Sequence, residues 1–156
     1  MDTQSITPSA GLSEAEVDGQ LVAVAQFIRT ELREPAPGEI VVVDHFTPGL
    51  YVREFRAVAG CVIVSAKHGT EHPFVVSKGR VRVWTKEDGV VVYEAGHHGV
   101  TKPGTQRVLF VDEDLVWTTF HPTDKTSVED IKREILLPSP VSSACLEGEK
   151  KLLGES

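Results

Sequence analysis

Two regimes of hydrophobic spacing divide the chain. From Ser13 onward, Val17, Leu21, Val24, Ala25, Ile28 and Leu32 recur every three or four residues, which places them on one stripe of an α-helix. Ser13 and Glu16 make a Ser-x-x-Glu capping box at its start, and Pro35 and Pro37 close it, so a helix is expected over about 13–34. From Ile40 the spacing shortens. Ile40–Phe46, Tyr51–Val58, Cys61–Ala66, Arg80–Thr85, Val90–Glu94, Val108–Val111 and Leu115–His121 are rich in Val, Phe, Tyr, Trp and Thr, and Gly or Pro punctuates them. Such runs read as strands. Arg80-Val-Arg-Val alternates as a strand does when one face meets solvent. Lys86-Glu-Asp-Gly89 between Trp84 and Val90 reads as a hairpin turn. Seven or eight short strands at this spacing predict an all-β sandwich or barrel.

Helical spacing returns once. Thr126-Ser-Val-Glu129 offers a second capping box, followed by Ile131, Ile135 and Leu136 on one stripe and by Pro138 and Pro140. A short C-terminal helix is expected over about 127–136. The polar stretches 1–12 and 138–156 read as an arm and a tail flanking a single domain.

Composition narrows the functional classes. At 156 residues, with 40% hydrophobic and 25% charged, one domain can bury an adequate core without metal or disulfide. Sixteen basic against 23 acidic residues give a net charge of −7. Neither nucleic acid nor an anionic membrane is the expected partner, because both select clustered Lys and Arg. No apolar run reaches the roughly 18 residues of a membrane span, and the N-terminus lacks the order of a signal peptide. A cytoplasmic protein is expected. Cys61 and Cys145 read as free thiols of a reducing compartment. There is no Gly-x-Ser-x-Gly, no phosphate-cradling Gly loop and no Cys-x-x-Cys.

The stretch Gly60–Gly79 carries the most specific signal. After Gly60 and five residues comes Ala66, then His68, then His72, and six residues later Gly79; downstream stand Gly96, Pro103-Gly104 and Arg107. This layout resembles the two motifs of the RmlC-like cupin superfamily: Gly, five residues, His-x-His, a spacer, Glu, six residues, Gly; then Gly, five residues, Pro-x-Gly, two residues, His. The chain also resembles the short single-cupin proteins of bacteriophage and prophage genomes. The resemblance implies a cupin-type β-barrel or jelly roll, and a metal site at four of these positions. Here Ala66 takes the first histidine position, His68 the second, His72 the glutamate position and Arg107 the last histidine position, with the proline displaced by one. Alanine cannot ligate, and arginine stays protonated and repels a cation.

His68 and His72 would lie about 13 Å apart on a continuous strand, at about 3.3 Å per residue. Sharing an ion therefore requires a chain reversal at Gly69-Thr-Glu71, with a third ligand from His121, His97, His98 or Glu71. His121, at the end of a strand, can point inward, so the candidate ligand set is His68, His72 and His121 for iron, manganese, nickel or zinc. The simpler reading is hydrogen-bonded histidines in a barrel whose metal use has lapsed. Arg107 can grip a carboxylate or phosphate by its fork; more simply, it pairs with Glu54, Glu71 or Asp112. His97 and His98 read as exposed loop residues, and Trp84 and Trp117 as packing residues.

Two functions follow. With half of the usual ligands missing, the preferred one is a non-catalytic cupin module in protein–protein assembly, self-associating or joining other assembly proteins, and housed in a virion if phage-encoded. The alternative is a metal-dependent enzyme of isomerase, lyase or dioxygenase type acting on a small molecule.

Overall fold

The computed structural model describes residues 13–138. Helix α1 spans Glu14–Glu31, strands β1 to β7 span Ile40–Thr47, Leu50–Ala57, Val62–Val64, His72–Thr85, Gly89–Glu94, His98–Thr101 and Val108–Pro122, and helix α2 spans Val128–Ile135. The architecture is all-β, with one helix on either side of the strands in sequence, as expected. Every strand pair is antiparallel. The polar segments 1–12 and 139–156, and Cys145 with them, lie outside the described residues. No helix among the described residues is long and apolar enough to cross a membrane.

Two long strands organise the rest. The first half of β4 lies between β6 and β7, and its second half between β5 and β7. Likewise β7 pairs with β3 at its start and with β2 at its end. The result is two layers, β1-β2-β7-β4-β6 and β3-β7-β4-β5, sharing β4 and β7. Between the layers sits one core. Ile40, Phe74, Val76, Leu115 and Trp117 come from the first layer, and Ile63, Val81, Val83, Leu109 and Val111 from the second.

The crossing point explains a misreading. Sequence spacing begins the strand at Arg80 and breaks β7 at the acidic triplet Asp112-Glu-Asp114. In the structure both strands run through. Their register shifts between Val76 and Val81, where Gly79 adopts φ +90°. A Cβ at Gly79 would stand 2.2 Å from the Asp114 carbonyl oxygen. Glycine here ends no strand; it lets two backbones close up in a bulge. β6 was also missed, since His98 is its first residue rather than part of a loop.

The helices take the places their stripes dictate. Val17, Leu21, Ala25 and Ile28 of α1 cover Val64 and Val108 on the outside of the second layer. Ser13 and Glu16 complete the predicted capping box; α1 stops at Glu31, a turn short of Pro35. In α2 the cap is Ser127, whose side chain accepts from the Asp130 amide at 3.1 Å, in place of Thr126. With this phase Ile131 and Ile135 pack against Tyr51.

Candidate functional site

Alternation along three strands aims one set of side chains into the space beneath α2. On β7 these are Trp117, Thr119 and His121; on β2, Tyr51, Arg53 and Phe55; on β4, His72, with Leu115 and Phe74 continuing the same faces into the core. Residues two apart share a face of a strand. The pocket has a volume of about 120 Å³, and Val128, Ile131, Lys132, Ile135 and Leu136 of α2 and the residue after it line it on one side.

His68 and His72 meet because the chain does turn between them, bending at Thr70. Their ring centroids lie 4.7 Å apart, and the His121 ring lies 4.2 Å from His72 and 5.8 Å from His68. One ligand atom from each of the three comes within 4.8 Å of the others. About an ion held at about 2.1 Å, tetrahedral nitrogens stand about 3.4 Å apart, so the rings need move by on the order of an ångström. His97 and Glu71 do not join them. His97 stacks on Tyr93 at 3.9 Å, and Glu71 is exposed and pairs with Lys102 at 2.9 Å.

The hydrogen bonds fit ligation. His72 Nδ1 donates to the Thr70 carbonyl at 3.0 Å, which leaves Nε2 with a free lone pair. A backbone carbonyl holding the far ring nitrogen is the usual support for a metal-bound histidine. His121 Nε2 bonds the Thr119 hydroxyl at 2.8 Å. Its Nδ1, like Nδ1 of His68, is buried with no partner among the described residues. A buried polar atom left unpaired costs about 1–3 kcal/mol. All three rings are held neutral. Burial pushes His68 down to about 3, aided by the neighbouring His72 and His121 and by the Arg107 and Arg53 charges. Burial, then His72 and Arg53, brings His121 to about 3 as well. Burial also lowers His72, with Arg107 adding to it and the Thr70 bond opposing. Neutral imidazole is the ligating form.

Arg107 sits in the same pocket. Its backbone is clamped to Ser65: the Arg107 amide donates to Ser65 Oγ at 2.8 Å, and the Ser65 amide to the Arg107 carbonyl at 2.9 Å. The guanidinium lies 5.2 Å from the Phe74 ring centre and 5.5 Å from that of Trp117. The expected salt bridge is not formed. Glu54 pairs with Arg56 at 2.6 Å, Glu71 with Lys102, and Asp112 with Arg82 at 3.1 Å. Each of the three acids is paired with another cation. The stacked aromatic pair Phe74–Trp117, 4.7 Å apart, and the cover provided by α2 are site features that sequence reasoning missed. The parity of Trp117 with His121, and of Phe74 with His72, was the available signal.

No family model matches the chain, and no curated protein matches it. Solved structures do. The chain is similar to an uncharacterised conserved protein with a double-stranded β-helix domain from Klebsiella pneumoniae (20% identity over 62% of this chain and 88% of that one, TM-score 0.49). It is similar also to an RmlC-like cupin family protein from Methanocaldococcus jannaschii (11%, 60% and 88%, TM-score 0.47). A third is a cupin-2 domain protein from Shewanella frigidimarina (10%, 78% and 100%, TM-score 0.43). These are likenesses of fold. Function has to be argued from the pocket.

Proposed function

We propose that the protein is a cupin-type, metal-dependent small-molecule protein that holds one divalent iron, manganese, nickel or zinc ion on His68, His72 and His121. The observation that carries this reading is the convergence of three neutral imidazoles, two of them with a buried Nδ1 that has no partner among the described residues. Three protein ligands leave coordination positions open, the pattern of reactive rather than structural sites. When bound, the ion would supply Lewis acidity toward an oxygen function of a small molecule. The chain's own residues do the rest. Thr70 orients His72, Thr119 orients His121, and Ile131 and Ile135 keep bulk water from the rings. The assembly role, with the virion as one setting, rests on the missing cupin ligands and the polar arms; the convergence of His68, His72 and His121 supports the metal reading in its place.

The test is elemental analysis of untagged full-length protein exposed in turn to iron, manganese, nickel and zinc. About one ion per chain is expected for the wild type, and most of it is lost in His72→Ala and in His121→Ala. Wild-type protein that retains no stoichiometric metal refutes the reading.

A further inference from the structure

The pocket has an unusual charge balance. In a chain of net charge −7, its lining among the described residues includes Arg53, Arg107 and Lys132 but no aspartate or glutamate. Arg53 lies against the Tyr51 hydroxyl, and Lys132 stands on α2. Arg107 differs from both. It is clamped at its backbone, it forms no ion pair among the described residues, and its Nε is buried without a partner. Removing a charge from water without pairing it is costly; Glu54, Asp112 and Glu71 are committed elsewhere, and the charges of Asp88 and Glu87 act on Arg107 only through space. Phe74 and Trp117, stacked 4.7 Å apart, lie together on one side of the guanidinium. Rings on one side leave the other side for a ligand, and the N–H fork of a guanidinium fits the two oxygens of a carboxylate. Away from the histidines, Ser65 and Thr119, the remaining wall is mostly apolar, with Phe55, Ile63, Leu109, Ile131 and Ile135.

We infer that the pocket takes a small monocarboxylic acid with an apolar body, its carboxylate gripped by Arg107 and its body lying against Ile63, Leu109, Ile131 and Ile135. The inference rests on the small-molecule reading of this pocket, though not on the ion. Phosphate fits less well, because a tetrahedral dianion needs donors on several sides and this wall is largely hydrocarbon. Size sets a limit too. A cavity of about 150 Å³ holds benzene, so the about 120 Å³ found here suits an acid of the bulk of isobutyrate, and benzoate fits only if the pocket widens.

Calorimetric titration of full-length protein, metal-free and zinc-loaded, tests it with isobutyrate, benzoate, their neutral amides and inorganic phosphate. At least one acid binds, and its amide binds at least about tenfold more weakly, as loss of a charge-assisted bidentate pair requires. Arg107→Gln weakens the acid by at least about tenfold while metal content stays at the wild-type level. Failure of both acids to bind, equal binding of acid and amide, phosphate binding in place of the acids, or an unchanged Arg107→Gln each overturns the inference. Should Arg107→Gln not fold, the acid–amide comparison on the wild type decides alone. Arg107-dependent acid binding by a protein that takes no metal would sink the metal reading and leave this one standing. A protein that binds metal but neither acid gives the converse.

Discussion

Acid should unfold the metal-free protein in a window set by the buried histidines. His68 and His121 fall from 6.5 to about 3 on folding. Between those values the unfolded chain binds protons that the folded chain refuses, so stability rises with pH. The contribution is complete above about 6.5, shrinks as the pH falls, and levels off below about 3. At pH 4.5 each ring costs about 2.7 kcal/mol by linkage, hence about 5 kcal/mol for the pair. That is comparable to the whole stability of many domains, about 5–15 kcal/mol. Carboxylates do not obscure this window. Glu39, lowered from 4.5 to about 2 by its bonds from Arg33 and the Ala36 amide, loses its contribution only below about pH 4.5. The assay is urea unfolding of chelator-treated protein from pH 7.5 to 4.5, followed by tryptophan fluorescence, since Trp117 lies in the core. A fall of about 5 kcal/mol is expected across that range, and about half as much in His121→Gln, which has one ring fewer to titrate. Stability that stays flat from pH 7.5 to 5 would show that the rings are hydrated and charged in the folded state, and the argument for a buried neutral triad would fail.

Other consequences are mechanical. Gly79→Ala should destabilise by roughly 3–5 kcal/mol in urea, because it adds a positive-φ penalty to a backbone collision. Gly96→Ala, at φ +97° with open space around it, should cost only about 1 kcal/mol; equal losses at the two positions would refute the close approach of β4 and β7. Ile131, 1% exposed against Tyr51 and Ile135, anchors α2, so Ile131→Ala should cost about 2–5 kcal/mol. It should also speed hydrogen exchange at the Gly69 and Leu137 amides. Exchange there no faster than in the wild type would mean that α2 is held by something else.

Much of the architecture was legible because it rests on local rules. The α1 stripe, its capping box, the Lys86–Gly89 turn and most of the strand runs needed only spacing and turn chemistry. The errors cluster where tertiary contact overrides local signal. Gly79 and Asp112–Asp114 look like breaks, yet each closes on the other in a bulge. Ser127 displaces Thr126 as cap because Ile131 and Ile135 must reach Tyr51. The pocket was legible in part. His68, His72 and His121 were identified, but their convergence depends on a bend at Thr70 and on a register between β4 and β7 that no local pattern encodes. The isolation of Arg107 was less accessible still, since it depends on where three acids find their partners.

Around the histidine loop, α2 is tied down on both sides of His68. The Gly69 amide donates to the Ile135 carbonyl at 2.7 Å, and the Leu137 amide to the Lys67 carbonyl at 2.8 Å. The stretch that covers the pocket is therefore stitched to the stretch that carries a ligand. A guest that passes beneath α2 requires both stitches to part and Ile131 to lift from Tyr51. The time a guest spends inside is then governed by how often the cover opens, and two guests of very different affinity would leave at similar rates whenever opening is the slow step.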